Sequence, residues 1–170
     1  MRSIVHLAAP LALAAALAAP VAVTAGADAE PQPPADGELA TVVKVIDGDT
    51  IRVELENGEV ERVRYIGIDT PELANDERGA EPFGPRAAAA NAGFVEDQQV
   101  LLEADISDRD RFDRLLRYVW VDTEDGPVMV NERLVALGLA DVKAYEPDTR
   151  HHEFLLESLE QARFTGRGMH

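Results

Sequence analysis

The chain has no cysteine, and beyond His6 its only histidines are His151, His152 and the terminal His170. Without a thiol there is no thiolate nucleophile, no disulfide and no lipoprotein anchor. With the remaining histidines confined to the C-terminal end, neither a Ser-His-Asp triad nor an ordinary zinc site is expected. No Gly-x-Gly-x-x-Gly or P-loop stretch occurs, which argues against a nucleotide cofactor. Lysine is nearly missing: Lys44 and Lys143 stand against 14 arginines. The chemistry must therefore come from carboxylates, arginines and a metal.

Acid is what the chain has in excess, with 32 Asp and Glu against 16 Lys and Arg, a net charge of −16. Such a chain repels nucleic acid at long range, so a polyanionic substrate has to be met by local positive charge. Two origins of the acidity stay open, a GC-rich genome with a solubilising surface, or life in high salt that screens the repulsion. At 170 residues the length supports one domain with a real core.

Residues 1–27 read as a secretory signal. Arg2 supplies the charge, Ile4 to Val23 is apolar and Ala-rich, and Ala25-Gly26-Ala27 is a small-residue exit, placing cleavage at about residues 25–29. A membrane anchor is the competing reading, because the apolar run approaches spanning length; Pro10, Pro20 and the exit favour cleavage. Losing Arg2 takes the net charge from −16 to −17. The expectation is a secreted protein, extracellular or periplasmic, monomeric and without stable membrane association. Residues 28–37, acidic and rich in proline, read as a flexible lead-in, and 38–170 as the folded domain.

Hydrophobic patterning predicts strands at about Ala40–Ile46, Thr50–Leu55, Val60–Ile68, Gln99–Asp105 and Leu115–Val121. An Ala-rich helix opens at Gly84-Pro85 with proline at its first position and runs to about Phe94. After a Glu124-Asp125-Gly126 turn, Asn131 is expected to cap a short helix whose Leu134 and Leu137 face inward and which Gly138 ends. A last helix starts near Asp148 or Thr149, with Leu155, Leu159 and Ala162 on one stripe. The class is α+β, mainly β: a five-stranded OB-type Greek-key barrel with three helices.

The chemistry-bearing stretches are Ile46-Asp47-Gly48-Asp49-Thr50 and Val63-Arg64-Tyr65-Ile66-Gly67-Ile68-Asp69-Thr70-Pro71-Glu72. Each alone reads as a strand-ending turn. Between them lies Asn57-Gly58, and a two-residue turn centred there sets Asp47 against Ile68 and Asp49 against Ile66, with Asp69 just beyond. Carboxylates gathered at one hairpin end repel one another, and a hard divalent metal held by oxygens resolves the repulsion. Arg64 reads either as a snorkelling side chain or as a fork for phosphate oxygens. Farther on, Arg109, Arg111 and Arg114 crowd one loop; Arg117 fits an ordinary surface ion pair, whereas Arg114 stands where the loop enters a strand.

From about Thr41 to Arg163 the chain resembles the staphylococcal nuclease (thermonuclease) family. The resemblance is carried by the two stretches above, Phe83-Gly84-Pro85, Asp110 through Tyr118, and Met129-Val130-Asn131-Glu132 through Gly138-Leu139-Ala140. It implies an OB-type barrel and Ca²⁺-dependent cleavage of DNA and RNA, preferably single-stranded, with little sequence specificity and 3′-phosphate ends. Carried over, Asp49 and Asp69 bind Ca²⁺ by carboxylate and Thr70 by its backbone oxygen, Arg64 and Arg114 grip the phosphate, and Glu72 acts on the attacking water. Arg111 and Tyr145 are candidate substrate contacts, and Asp47 is expected to support the turn or the metal's waters. The chain departs from the family at Asp113, where glycine is usual, at Phe112, where tyrosine is usual, and in keeping only Tyr145 before the last helix. Asp113 is expected to preserve the left-handed turn while setting a negative charge near Arg114. The alternative function is a non-catalytic nucleic-acid-binding OB module, which has no need of Glu72, paired aspartates or two phosphate arginines.

Overall fold

The computed structural model describes residues 30–74 and 79–170, so the expected signal segment lies outside the described residues. Three consecutive strands, β1 (Glu38–Val45), β2 (Thr50–Leu55) and β3 (Val60–Tyr65), pair antiparallel. Strand β2 shows why: from Ile51 to Leu55, buried and exposed residues alternate, as a half-buried strand requires. After the two-residue β4 (Ile68–Asp69), α1 (Gly84–Val95) leads to β5 (Gln99–Glu103), which lies antiparallel to β1, and β6 (Leu115–Thr123) pairs with β5. Strand β6 then runs parallel to β3, from Val63 opposite Leu115 to Tyr65 opposite Arg117, and closes the ring. The result is the five-stranded mixed barrel with three helices that the patterning indicates. Within β1 the register to β2 shifts between Val42 and Lys44, a bulge that bends the strand around the barrel.

Beyond the ring, β7 (Gly126–Met129) folds back on β6, then α2 (Val130–Ala136), β8 (Asp141–Val142) and α3 (His152–Phe164) follow. Leu155, Leu159 and Ala162 form the buried stripe of α3, as expected. Pairing of β8 with β4 was not foreseen; two-residue strands carry no periodic signal.

Five local expectations are corrected. The β2–β3 hairpin turns through three residues, not two: Leu55 N–H donates to Glu59 O at 2.9 Å, Gly58 N–H donates to Leu55 O at 2.8 Å, and Gly58 sits at φ 84°. The register therefore slips by one, pairing Thr50 with Arg64 and letting Tyr65 N–H donate to Asp49 O at 2.9 Å. Strand β3 stops at Tyr65, because Gly67 turns the chain at φ 79° before β4 begins. Asn131 does not cap α2. The chain enters that helix directly from β7, so Asn131 is its second residue, fully buried, accepting Val119 N–H at 2.9 Å and donating to Ile66 O at 2.9 Å. Leu137 is 42% exposed, because it lies past the last helical turn; Gly138 at φ 67° redirects the chain and Leu139 is buried instead. Pro85 is the second rather than the first residue of α1.

Candidate active site

The site sits at the end of the barrel where β2 begins and β4 leaves β3, beside an open groove of about 760 Å³. Its centre is built by backbone geometry. Asp47 Oδ1 accepts Asp49 N–H at 3.0 Å, folding the turn that enters β2. Gly48 lets that turn pack tightly, since a Cβ there would lie 2.6 Å from Thr70 Oγ1 and 2.8 Å from Ala87 Cβ. Asn91, buried on α1, donates to Asp47 O at 3.0 Å and accepts the Tyr65 hydroxyl at 2.8 Å, tying helix, turn and barrel together. The expected co-location survives the one-residue slip, because both aspartates stand at the strand ends.

Asp49 is buried, and Thr70 N–H donates to its Oδ2 at 2.8 Å. The Arg64 guanidinium bridges the pair, ion-paired with Asp49 Oδ2 through Nη1 and with Asp69 Oδ1 through Nη2 at 3.0 Å. Burial opposes the charge on Arg64, but the two carboxylates outweigh it and raise its pKa. Asp69 Oδ2 is ion-paired with the Lys143 ammonium. Burial, then the charge of Asp49, pushes the Asp47 carboxyl up to about 6. Asp49, Asp69 and the Thr70 carbonyl are an oxygen-only donor set, which suits a hard cation completed by water. Among the described residues no group of three or more acidic, histidine or cysteine side chains is placed to hold a metal, so this set offers two carboxylates and a backbone oxygen only.

The opposite wall carries Arg114. Asp110 Oδ2 accepts Arg114 Nε at 2.7 Å and Nη2 at 2.6 Å, while Oδ1 accepts the backbone N–H of Phe112 at 2.8 Å and of Arg114 at 3.0 Å. One carboxylate thus shapes the loop and aims the guanidinium. Burial works against the Asp110 charge, yet these bonds win and hold its carboxyl below the usual range. Asp113 adopts φ 61°, the left-handed conformation expected of a residue in glycine's place. Exposed Phe112 lies under two cations, Arg111 at 4.6 Å and Arg114 at 5.5 Å from its ring centre.

Glu72 faces the same groove and is exposed. Its backbone is braced by Glu81, whose N–H donates to Glu72 O at 2.9 Å and whose Oε2 accepts Glu72 N–H at 3.1 Å. Tyr145, 45% exposed, stands on the rim. Asp49, Asp69, Arg64, Glu72, Arg111, Arg114 and Tyr145 therefore line one groove, whereas Thr70 is buried beside Gly48 and does not line it. The other loop arginines serve the scaffold: Arg109 forks onto Glu61 at 3.0 and 2.8 Å. Arg117 corrects the surface-pair expectation. It is buried, donating to Asp108 Oδ1 at 2.7 Å, Asp108 O at 3.1 Å and Leu116 O at 2.8 Å, because its strand position opposite Tyr65 lies inside the closure of the barrel. Sequence reasoning missed Asp110 as the holder of Arg114, for which the four-residue spacing was a signal, and Lys143, for which there was none.

Residues 62–170 match the family model described as staphylococcal nuclease homologue. The chain is 37% identical to a thermonuclease of Staphylococcus hyicus over 128 residues, covering 75% of this chain and 73% of its relative. A thermonuclease of Staphylococcus intermedius is 36% identical over 126 residues, 74% and 72% of the two chains. Endonuclease YncB of Bacillus subtilis is 40% identical over 123 residues, 71% of this chain and 56% of that one.

Proposed function

The chain belongs to the staphylococcal nuclease family of metal-dependent phosphodiester-hydrolysing enzymes, and on that footing we propose a secreted, Ca²⁺-dependent nuclease that cuts DNA and RNA with little sequence specificity and leaves 3′-phosphate ends. The observation that carries the site assignment is the meeting of Asp49, Asp69 and Arg64 at one barrel end, with Arg114 and Glu72 on the walls of the same groove.

In this reading Asp49, Asp69 and the Thr70 carbonyl hold the ion. Bound there, Ca²⁺ supplies positive charge to a phosphate oxygen and a site for water. Arg64 and Arg114 present planar N–H forks that meet the charge building on the phosphoryl oxygens; lysine in either place would keep the charge and lose the bidentate geometry. Glu72 orients the attacking water and accepts its proton as the water oxygen bonds to phosphorus. The bond from phosphorus to the 5′-oxygen breaks, the 5′-oxygen leaves as a hydroxyl after taking up a proton, and the phosphate stays on the 3′ side. Asp110 contributes by fixing the fork of Arg114 before substrate arrives, so little ordering remains for the transition state. Arg111, and Tyr145 by stacking on a base, extend the contact along a single strand.

Two observations favour the hydrolase over a purely binding module: the chain is strongly acidic, and Arg64, Glu72, Arg114, Asp49 and Asp69 line one groove. The test is degradation of denatured DNA by the purified protein with Ca²⁺ and with a chelator, followed by end-group analysis of the products. Asp69→Ala is expected to abolish cleavage while the protein stays folded. Full activity of that variant at ordinary Ca²⁺ removes Asp69 from the site.

A further inference from the structure

The two aspartates at the barrel end carry two negative charges, and two side-chain cations already neutralise them. Arg64 spans Asp49 and Asp69, while Lys143 takes the remaining oxygen of Asp69, Oδ2. The two cations differ in freedom. Arg64 stands within β3 with its side chain 12% exposed, whereas the Lys143 side chain is 51% exposed and ends in a flexible stem. The lysine is nevertheless delivered to Asp69 by the backbone: Asp69 pairs with Asp141 in the β4–β8 ladder, and Lys143 N–H donates to Gly67 O at 2.9 Å just past it. A divalent ion entering this cluster must compete for an oxygen that is already bonded.

We propose that Lys143 is a tethered counter-ion of the metal site, occupying Asp69 in the metal-free protein and swinging out when the divalent ion binds, so that it sets the metal concentration at which the enzyme switches on. This rests on the assignment of Asp49 and Asp69 as metal ligands. The same contact relieves carboxylate repulsion in the metal-free protein, where Asp47 adds a third acidic group beside Asp49. By linkage, whatever the ammonium contributes to the metal-free state is subtracted from metal affinity. A half-exposed ion pair of this kind is worth roughly a two- to fivefold change in an equilibrium constant.

The experiment uses Ca²⁺ alone as probe. The scarcity of lysine makes it clean, because the chain has only Lys44 and Lys143 and a ¹³C-lysine-labelled sample gives two assignable sets of side-chain signals. Calorimetric titration is expected to show Lys143→Met binding Ca²⁺ about two- to fivefold more tightly than the parent, with a lower melting temperature without metal and an unchanged one at saturating Ca²⁺. In the labelled parent protein, Ca²⁺ should shift the terminal methylene signal of Lys143 to that of a free lysine and leave Lys44 unmoved. Ca²⁺ binding with equal affinity in both proteins, or with the Lys143 signal unmoved, overturns the counter-ion role while the metal site stands. Ca²⁺ binding to neither protein overturns the metal assignment and this inference with it.

Discussion

Gly84→Ala isolates the contribution of Glu72 without touching its carboxylate. Gly84 opens α1, and a Cβ built on it lies 2.3 Å from Glu72 O, 2.9 Å from Glu72 C and 3.0 Å from Pro71 O. All three are backbone atoms, so no rotamer change relieves the clash. Carbon and oxygen settle near 3.5 Å, so the Glu72 peptide must retreat by about 1 Å, or the helix must. A 1 Å misplacement of a positioned catalytic group costs about 100-fold in rate, and overpacking of this kind costs about 1–3 kcal/mol of stability. Asp49, just before β2, and Asp69, at the end of β4, lie outside this segment, so Ca²⁺ affinity should fall far less than the rate, any loss coming through the Thr70 carbonyl two residues before Glu72. Initial rates on denatured DNA, a Ca²⁺ titration and a melting curve measure the three quantities separately. The internal control is Gly93→Ala in the same helix: a Cβ there meets nothing within 4 Å, and the change should add about 0.5–1 kcal/mol with the rate unaltered. A Gly84→Ala enzyme that turns over within a few-fold of the parent would refute the reasoning that the helix start places Glu72 for catalysis.

On the opposite wall, Arg114→Lys is expected to lose about two to three powers of ten in rate, since one donor of the fork disappears, and Asp113→Gly to keep or raise the rate and gain up to about 1 kcal/mol by releasing a left-handed backbone; steady-state kinetics and thermal melts check both. Burial works to raise the pKa of the Glu103 carboxyl, but bonds from His151, Trp120 and Arg150 overcome it and hold it below the usual value; that stability is present above the ordinary glutamate pKa and is lost as pH falls through the depressed one. Acid unfolding followed by fluorescence of the single tryptophan, Trp120, should therefore lose that component in Glu103→Gln, which also weakens the protein at neutral pH. Because the mature chain would carry about −17, added salt is expected to raise the melting temperature and, at first, the rate; a decline of both from the lowest salt upward would rule out salt adaptation.

The barrel was legible where one physical signal dominated. Alternation along Thr50–Leu55 placed β2 to the residue, and the left-handed turn at Gly138 ended α2 where glycine alone avoids the Arg167 carbonyl, 2.1 Å from a would-be Cβ. It failed where two signals competed. Asn57-Gly58 fits a two-residue turn and equally a three-residue loop with glycine in the left-handed position, and only the closed barrel selects the second. Asn131 has the side chain of a cap, yet a buried amide that bonds Val119 and Ile66 on two barrel segments has more to satisfy than a helix end. The candidate site was read residue by residue from motif order, but its second layer was not. Asp110, Asn91 and Lys143 act through pairs separated by 4, 26 and 74 residues from Arg114, Tyr65 and Asp69, and only the first separation is visible along a chain.

An acidic enzyme acting on a polyanion faces a conflict that its groove answers with pairing rather than with excess positive charge. Arg64 rests between two aspartates and Arg114 on Asp110, so each guanidinium is held in orientation by the acid that partly cancels it. The net field at long range stays repulsive, and substrate capture then depends on contacts made within the groove, where a low local dielectric strengthens them. Preorientation compensates for the lost steering, because donors already in place spend no reorganisation when charge develops on the phosphate. The same pairing holds three further arginines: Arg109 on Glu61, Arg117 on Asp108 and Arg150 on Glu103 are spent on the scaffold around the groove. Acid and arginine in this chain are therefore one structural device, and removing an aspartate beside a groove arginine disorders the fork as much as it adds positive charge.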